Sequence, residues 1–518
     1  MPWSCSVRRC LMAVVFALTP AVAFPTPLLA QDTPAAPELR LGTLSFESSG
    51  SVAAQPAFER GMLLLHSFEY GPAAEAFREA QETDPDFAMA YWGEAMTHNH
   101  PVWMQQDRDA ALAALGRLAP TPAERAAKAG PTGGGTEREA AYLQAIDVLF
   151  GEGEKQERDD AYARAMRELH ETYPEDEDAA AFYALALLGT AHEGRDFGTY
   201  MKSAGVLEIV VDEHPDHPGI AHYLIHSYDD PIHAPLGLRA ARAYSEIAPD
   251  AAHAQHMTSH IFVALGMWDD VVSANENSMR VVNRDRTARL GPGACGHYNF
   301  WLEYGYLQQG RNEDALRLVR ECYDRVLEAA GGDAPDPDNT PIGSYAQMLS
   351  RYVVDSGEAD TPALDWPLDP SGSPHAGFSM AFARGWAAAE REEADGVRAA
   401  IELARGLDAD LTNAGGEDDA WTQRRRVLLM VLESRLRGLE GDGAGAVARA
   451  REAAEAEATM PFEFGPPFID KPTYELLGEQ LAAAAKPEEA RAAFRTALAR
   501  TPERVAAERG LAALGGDD

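Results

Sequence analysis

The sequence predicts an all-α protein, an α-solenoid of antiparallel helix pairs. Three observations lead there. Of the 518 residues, 46% are hydrophobic, mostly alanine and leucine, and only 8% are aromatic, a balance that favours helix over strand. Small and large residues recur at matching offsets, and Pro215 and Pro249 stand 34 positions apart, the mark of a repeated helical unit. A charged fraction of 25% is that of a folded chain. The 45 basic against 82 acidic side chains leave a net charge of −37, which excludes nucleic acid as a partner bound by phosphate neutralisation.

Taken in order, the chain opens with Arg8 and Arg9, an apolar run from Leu11 to Phe24, and small residues at Ala21, Ala23 and Ala30. Residues 1–30 therefore read as a secretory signal peptide, cleaved after Ala23 or Ala30. The apolar run is shorter than the ~20 residues of a membrane span, and Pro20 and Pro25 interrupt it. An exported protein, periplasmic or secreted and without a membrane span, is expected. Residues 31–50 read as a flexible lead-in. Cys5 and Cys10 leave with the signal, and Cys295 and Cys322 remain on either side of a turn at Gly310. They are placed to form a disulfide in an oxidising compartment, with two buried free thiols as the alternative.

The repeat is clearest near the end, where Tyr474, Leu477, Gly478, Ala490, Phe494, Ala497 and Pro502 put small residues where two helices approach and a large one where the next unit must be filled. This pattern resembles a tetratricopeptide repeat and places a unit over 471–504. Gly61, Ala73, Phe77, Ala80 and Pro85 repeat the offsets over 54–87. The next unit starts at Ala88 and is interrupted after Asn99-His100-Pro101. Further units fall over 218–251, 252–287 and 296–329, and looser pairs around 139–173, 178–213, 343–357, 375–407 and 420–457. A capping helix is expected over 503–514, and 51–518 as one continuous array with loops at Gly130 to Gly135 and Gly331 to Pro341.

Three stretches, Ala90-Tyr91-Trp92-Gly93-Glu94-Ala95-Met96, His222-Tyr223-Leu224-Ile225-His226 and His256-Met257-Thr258-Ser259-His260-Ile261-Phe262, are similar to a subgroup of secreted bacterial tetratricopeptide-repeat proteins. The resemblance covers nearly all of the mature length. It implies a right-handed superhelix whose first helices line a concave groove through repeat positions 2, 5, 9, 12 and 13.

Those positions give the groove a chemical inventory. Phe58, Met62, Trp92 and Met96 make its first part apolar, with Tyr304 further on, either as a floor for a peptide or as core packing. Its centre is histidine. His222 and His226 are four residues apart on one helical face, as are His256 and His260, and the two pairs are one repeat apart. Packed helices ~8–10 Å apart would let four imidazoles converge on one ion. His253 and His297 at position 2, with Asp229 and Asp230 at positions 12 and 13, are further candidate ligands. Imidazole and carboxylate donors suit a transition metal such as zinc, copper, iron or nickel, whereas calcium requires an oxygen-rich loop. A polar organic-ligand site and a hydrogen-bonded histidine network are the alternatives. His66 and His100, both at position 13, with His98, suggest either a second polar site or helix braces. The loop Pro461 to Pro467 either packs against the array or carries Glu463 to the groove.

No His-Glu-x-x-His motif is present, because His170-Glu171 and His192-Glu193 lack the second histidine. A Gly-x-Ser-x-Gly elbow, a phosphate loop and a dinucleotide fingerprint are absent too. The reading is an exported binding protein with a histidine-rich groove for a transition metal or small ligand. A metal-dependent hydrolase or oxygenase using the same histidines is one alternative, and a peptide- or protein-interaction scaffold is the other.

Overall fold

The computed structural model describes residues 39–284, 295–329, 341–413 and 419–515. The expected signal peptide and its cleavage point lie outside them. Among the described residues are 23 α-helices and one two-stranded ribbon. The fold is an all-α solenoid, in which consecutive helices pack side by side along the series. No helix among the described residues is long and apolar enough to cross a membrane.

The physical basis of the repeat is a phenyl wedge. Gln55–His66 and Tyr70–Thr83 form the first pair, followed by Ala88–Met96. A Cβ added to Gly61 would lie 2.7 Å from the Phe77 ring, and one added to Gly93 only 2.3 Å away, so the ring is gripped between two helices that approach through glycine. Phe494 repeats this near the other end, where added Cβ atoms at Gly478 and Gly510 would lie 2.7 and 2.4 Å from its ring. Gly478 is in Thr473–Ala483, Phe494 in Pro487–Arg500 and Gly510 in the terminal helix Val505–Ala513.

The central units are Pro218–Tyr228 with Ala234–Ile247, Ala252–Ala264 with Trp268–Val282, and His297–Gln308 with Asn312–Ala329. His297–Gln308 contributes to both halves of the hydrophobic core, so the helix that carries His297 lies where those halves meet. The insertion after Ala88–Met96 holds an antiparallel ribbon pairing Asn99 with Gln106 and His100 with Gln105 around the turn Pro101–Trp103. Cys295 and Cys322 are disulfide-bonded, with Cα atoms 4.4 Å apart.

Two expectations are corrected. Residues 31–38 of the lead-in lie outside the described residues, but 39–50 pack as a strap across the array. Leu41 and Phe46 are buried, the Thr43 amide donates to the Asp216 carbonyl at 3.0 Å, and the Ser49 amide and hydroxyl donate to Glu139 at 2.8 and 2.9 Å. The second concerns the apolar groove. Phe58, Met62, Trp92, Met96 and Tyr304 are all buried in the core. Phe46 of the strap covers Phe58 at a ring distance of 5.6 Å, and Gln55–His66 packs against Pro218–Tyr228. The array curls tightly enough to leave no open floor at these residues.

Candidate metal centre

Pro218–Tyr228 and Ala252–Ala264 are buried along their whole length. The first starts from a His217 cap, whose side chain accepts the Ile220 amide, with Pro218 in its first turn. Each histidine on such helices needs a partner for both ring nitrogens, because a buried polar atom left unpaired costs roughly 1–3 kcal/mol.

The histidines divide into three groups, not one. His222, His226 and His253 each bring a nitrogen to within 4.8 Å of the others, and so do His256, His260 and His297. The four residues of the two His-x-x-x-His pairs therefore do not surround one ion: each pair is completed by a position-2 histidine. The two triads are neighbours, with ring distances of 5.9 Å between His226 and His260 and 6.1 Å between His253 and His256. His66, His217 and Asp178 make the third group.

Hydrogen bonds fix which nitrogens are free. The Asn275 amide nitrogen donates to the Val271 carbonyl at 2.9 Å, so its oxygen faces His256 and accepts from Nδ1 at 2.7 Å. His260 Nδ1 donates to the Asp229 carboxylate at 2.6 Å. Both rings thus carry their hydrogen on Nδ1. Their Nε2 atoms face each other at 3.2 Å. In the first triad His222 Nδ1 donates to the His66 carbonyl at 2.6 Å, and Nε2 of His222, His226 and His253 are buried without any hydrogen-bond partner. Holding the second nitrogen of each ligand by an acceptor is how proteins orient metal-binding imidazoles.

Electrostatics favour the neutral form of four of these rings. Burial, then the neighbouring imidazoles, puts the pKa values of His222, His226, His253 and His256 well below the ordinary range.

The third group differs in kind. His66 Nε2 donates to Asp178 at 2.7 Å and its Nδ1 accepts from the Tyr223 hydroxyl at 3.0 Å. His217 accepts from Ile220 at 3.2 Å and donates to the same Asp178 oxygen at 3.4 Å. Both rings are saturated, so His66 is a brace between helices. His100 is another, stacked on Tyr70 at 4.0 Å with Nε2 at 3.1 Å from the Thr97 carbonyl.

The carboxylates are corrected as ligands. Asp229 orients His260. Asp230 is taken up by Arg195 at 3.0 Å, by the His233 ring at 2.8 Å and by the amides of Ile232 and His233. The Pro461 loop reaches the centre through Phe464, 5.3 Å from His260, beside Trp301 at 4.3 Å. Glu463 lines a small cavity of about 80 Å³ with Asp229 and Asp230.

His253 and His297, one from each triad, reach the wall of a chamber of about 660 Å³. Phe68, Tyr70, Trp103, Tyr298, Phe378 and Trp421 supply its rings. Sequence reasoning missed this chamber, whose residues come from distant helices.

No protein-family model and no curated protein matches the chain. Among solved structures, yeast Tom70 is 12% identical, with 89% of this chain and 95% of that one covered and a TM-score of 0.37. The anaphase-promoting-complex hetero-tetramer Cut9–Hcn1 is 12% identical over 91% of this chain and 78% of that one, at a TM-score of 0.34. A human IFIT1 dimer is 12% identical over 85% and 88%, at a TM-score of 0.33. At these values the likeness bears on no residue of the centre.

Proposed function

We propose that this is an exported binding protein for transition-metal ions, with one ion in each three-histidine pocket. The observation that carries the reading is the approach of the Nε2 atoms of His256 and His260 to 3.2 Å, beside a third imidazole, His297. Two imidazoles on one tetrahedral zinc at ~2.0–2.1 Å place their nitrogens about 3.3 Å apart, close to this spacing. The orphaned nitrogens of His222, His226 and His253 support a second ion. An all-imidazole set suits zinc, copper or iron.

The test is metal content after stripping and reloading with zinc or copper. Wild type should hold two ions per chain, and His226→Ala with His253→Ala should leave one, as should His256→Ala with His260→Ala. His214→Ala, whose ring faces Glu177 and belongs to neither triad, should leave two. Equal metal in the wild type and the fourfold variant would end this reading.

The helical-repeat architecture itself favours a second reading, a protein- or peptide-interaction scaffold, since such arrays present extended binding surfaces. Partner capture by the fourfold variant, unchanged from wild type, would bring that reading forward.

A further inference from the structure

The chamber beside the histidines has walls that metal binding leaves unused. At about 660 Å³ it lies within the ~300–1,000 Å³ typical of small-molecule sites. Its charges are already matched: Arg424 pairs with Asp470 at 2.8 Å and Arg425 with Asp408 at 2.7 Å, while Asp419 caps the Thr422 amide. Nothing in this set is left over for a phosphate or carboxylate. Two polar groups on the wall are buried without hydrogen-bond partners, the Tyr70 hydroxyl, which no ion would use, and His253 Nε2, which the first ion would.

The rings are placed at a cost. Phe68 follows the end of Gln55–His66 with φ of 53°, a left-handed conformation that a bulky residue adopts only under constraint. That turn sets its ring 5.3 Å from Tyr70, 5.6 Å from Trp103 and 5.5 Å from His253. Met104, directly after Trp103, is left-handed too, with φ of 54°.

We propose that the chamber binds a small uncharged hydroxylated aromatic molecule of the phenol class. Its ring lies among Phe68, Tyr70, Trp103 and Trp421, and its hydroxyl turns toward the ion that His253 would hold. Only the hydroxyl contact rests on the metal reading; the ring contacts do not.

The probe is phenol, titrated by calorimetry into the metal-free full-length protein, with cyclohexanol and benzoate as comparisons. Phenol should bind more tightly than either. Trp103→Leu and Trp421→Leu should each weaken it about tenfold; both side chains are part-exposed, at 39% and 40%, so the fold, checked by circular dichroism, should survive. Zinc should tighten phenol binding in wild type but not in His253→Ala. Cyclohexanol or benzoate binding as well as phenol would overturn the proposal, as would phenol affinity indifferent to both tryptophans or to zinc. Failure of zinc to bind at all would defeat the metal reading and the hydroxyl contact, while the metal-free titration still decides the ring site.

Discussion

Asn275 stands at the repeat position that Phe77 and Phe494 hold in their own units, where a phenyl ring is the natural filler. Its amide does different work, fixing the hydrogen of His256 on Nδ1 at 2.7 Å. A polar residue at that position was a readable signal, and the spacing of His222, His226, His256 and His260 was read. Their division into two triads was not readable, because it depends on which way each ring turns and on acceptors such as the His66 carbonyl, far away in sequence. Replacing Asn275 by Leu should weaken binding in the His256 pocket roughly 10–100-fold and leave the His222 pocket unchanged. A competition titration with a chelator measures both. Asp229→Ala should do the same through His260, and unchanged affinity in both variants would mean that orientation contributes nothing.

At the scale of elements, helix pairs were legible because a small residue facing a large one is a local pattern with a fixed period. The 39–50 strap and the ribbon at 99–106 have no such period. The strap is held by contacts to Glu139 and Asp216, and the ribbon by the pairing of its own two strands. The wedge makes a direct forecast. Gly93→Ala would put a methyl 2.3 Å from the Phe77 ring, which Gly61 confines from the other side, so overpacking should cost about 1–3 kcal/mol, read as a lower unfolding midpoint in urea. Gly71→Ala meets nothing within 4 Å and should be harmless by the same measurement. The disulfide belongs to this scale too. It ends two residues before His297 and closes a separation of 27 residues. Cys295→Ser with Cys322→Ser should cost roughly 3–4 kcal/mol in the loop-entropy account, and should lower metal affinity in the second pocket more than in the first, because only that pocket draws a ligand from the stapled helix.

For the whole molecule, the C-terminal cap is fastened to the middle of the chain by a buried ionic clamp. Arg504 is 1% exposed and reaches Glu475 at 2.7 Å and Asp355 at 2.5 Å, with the Tyr304 hydroxyl 3.4 Å away. Lys471 holds Glu475 from the other side. Burial opposes charge on Glu475, but Arg504 and Lys471 outweigh it and bring its pKa from 4.5 to about 2. Glu479, which also meets Lys471, is pushed up by burial and adds nothing to acid loss. The depressed carboxylate of Glu475 contributes stability that is fully present above pH 4.5, its unfolded value, and is lost as pH falls toward 2. Arg504→Ala would leave Glu475 and Asp355 buried with a missing partner, a cost of about 3–5 kcal/mol near neutral pH. The deficit should shrink as the pH is lowered from 4.5 toward 2, because the wild type then loses the advantage that the variant lacks. Urea unfolding of both proteins across that range measures the difference, and a deficit that stayed constant with pH would show that the clamp acts by packing and not by charge.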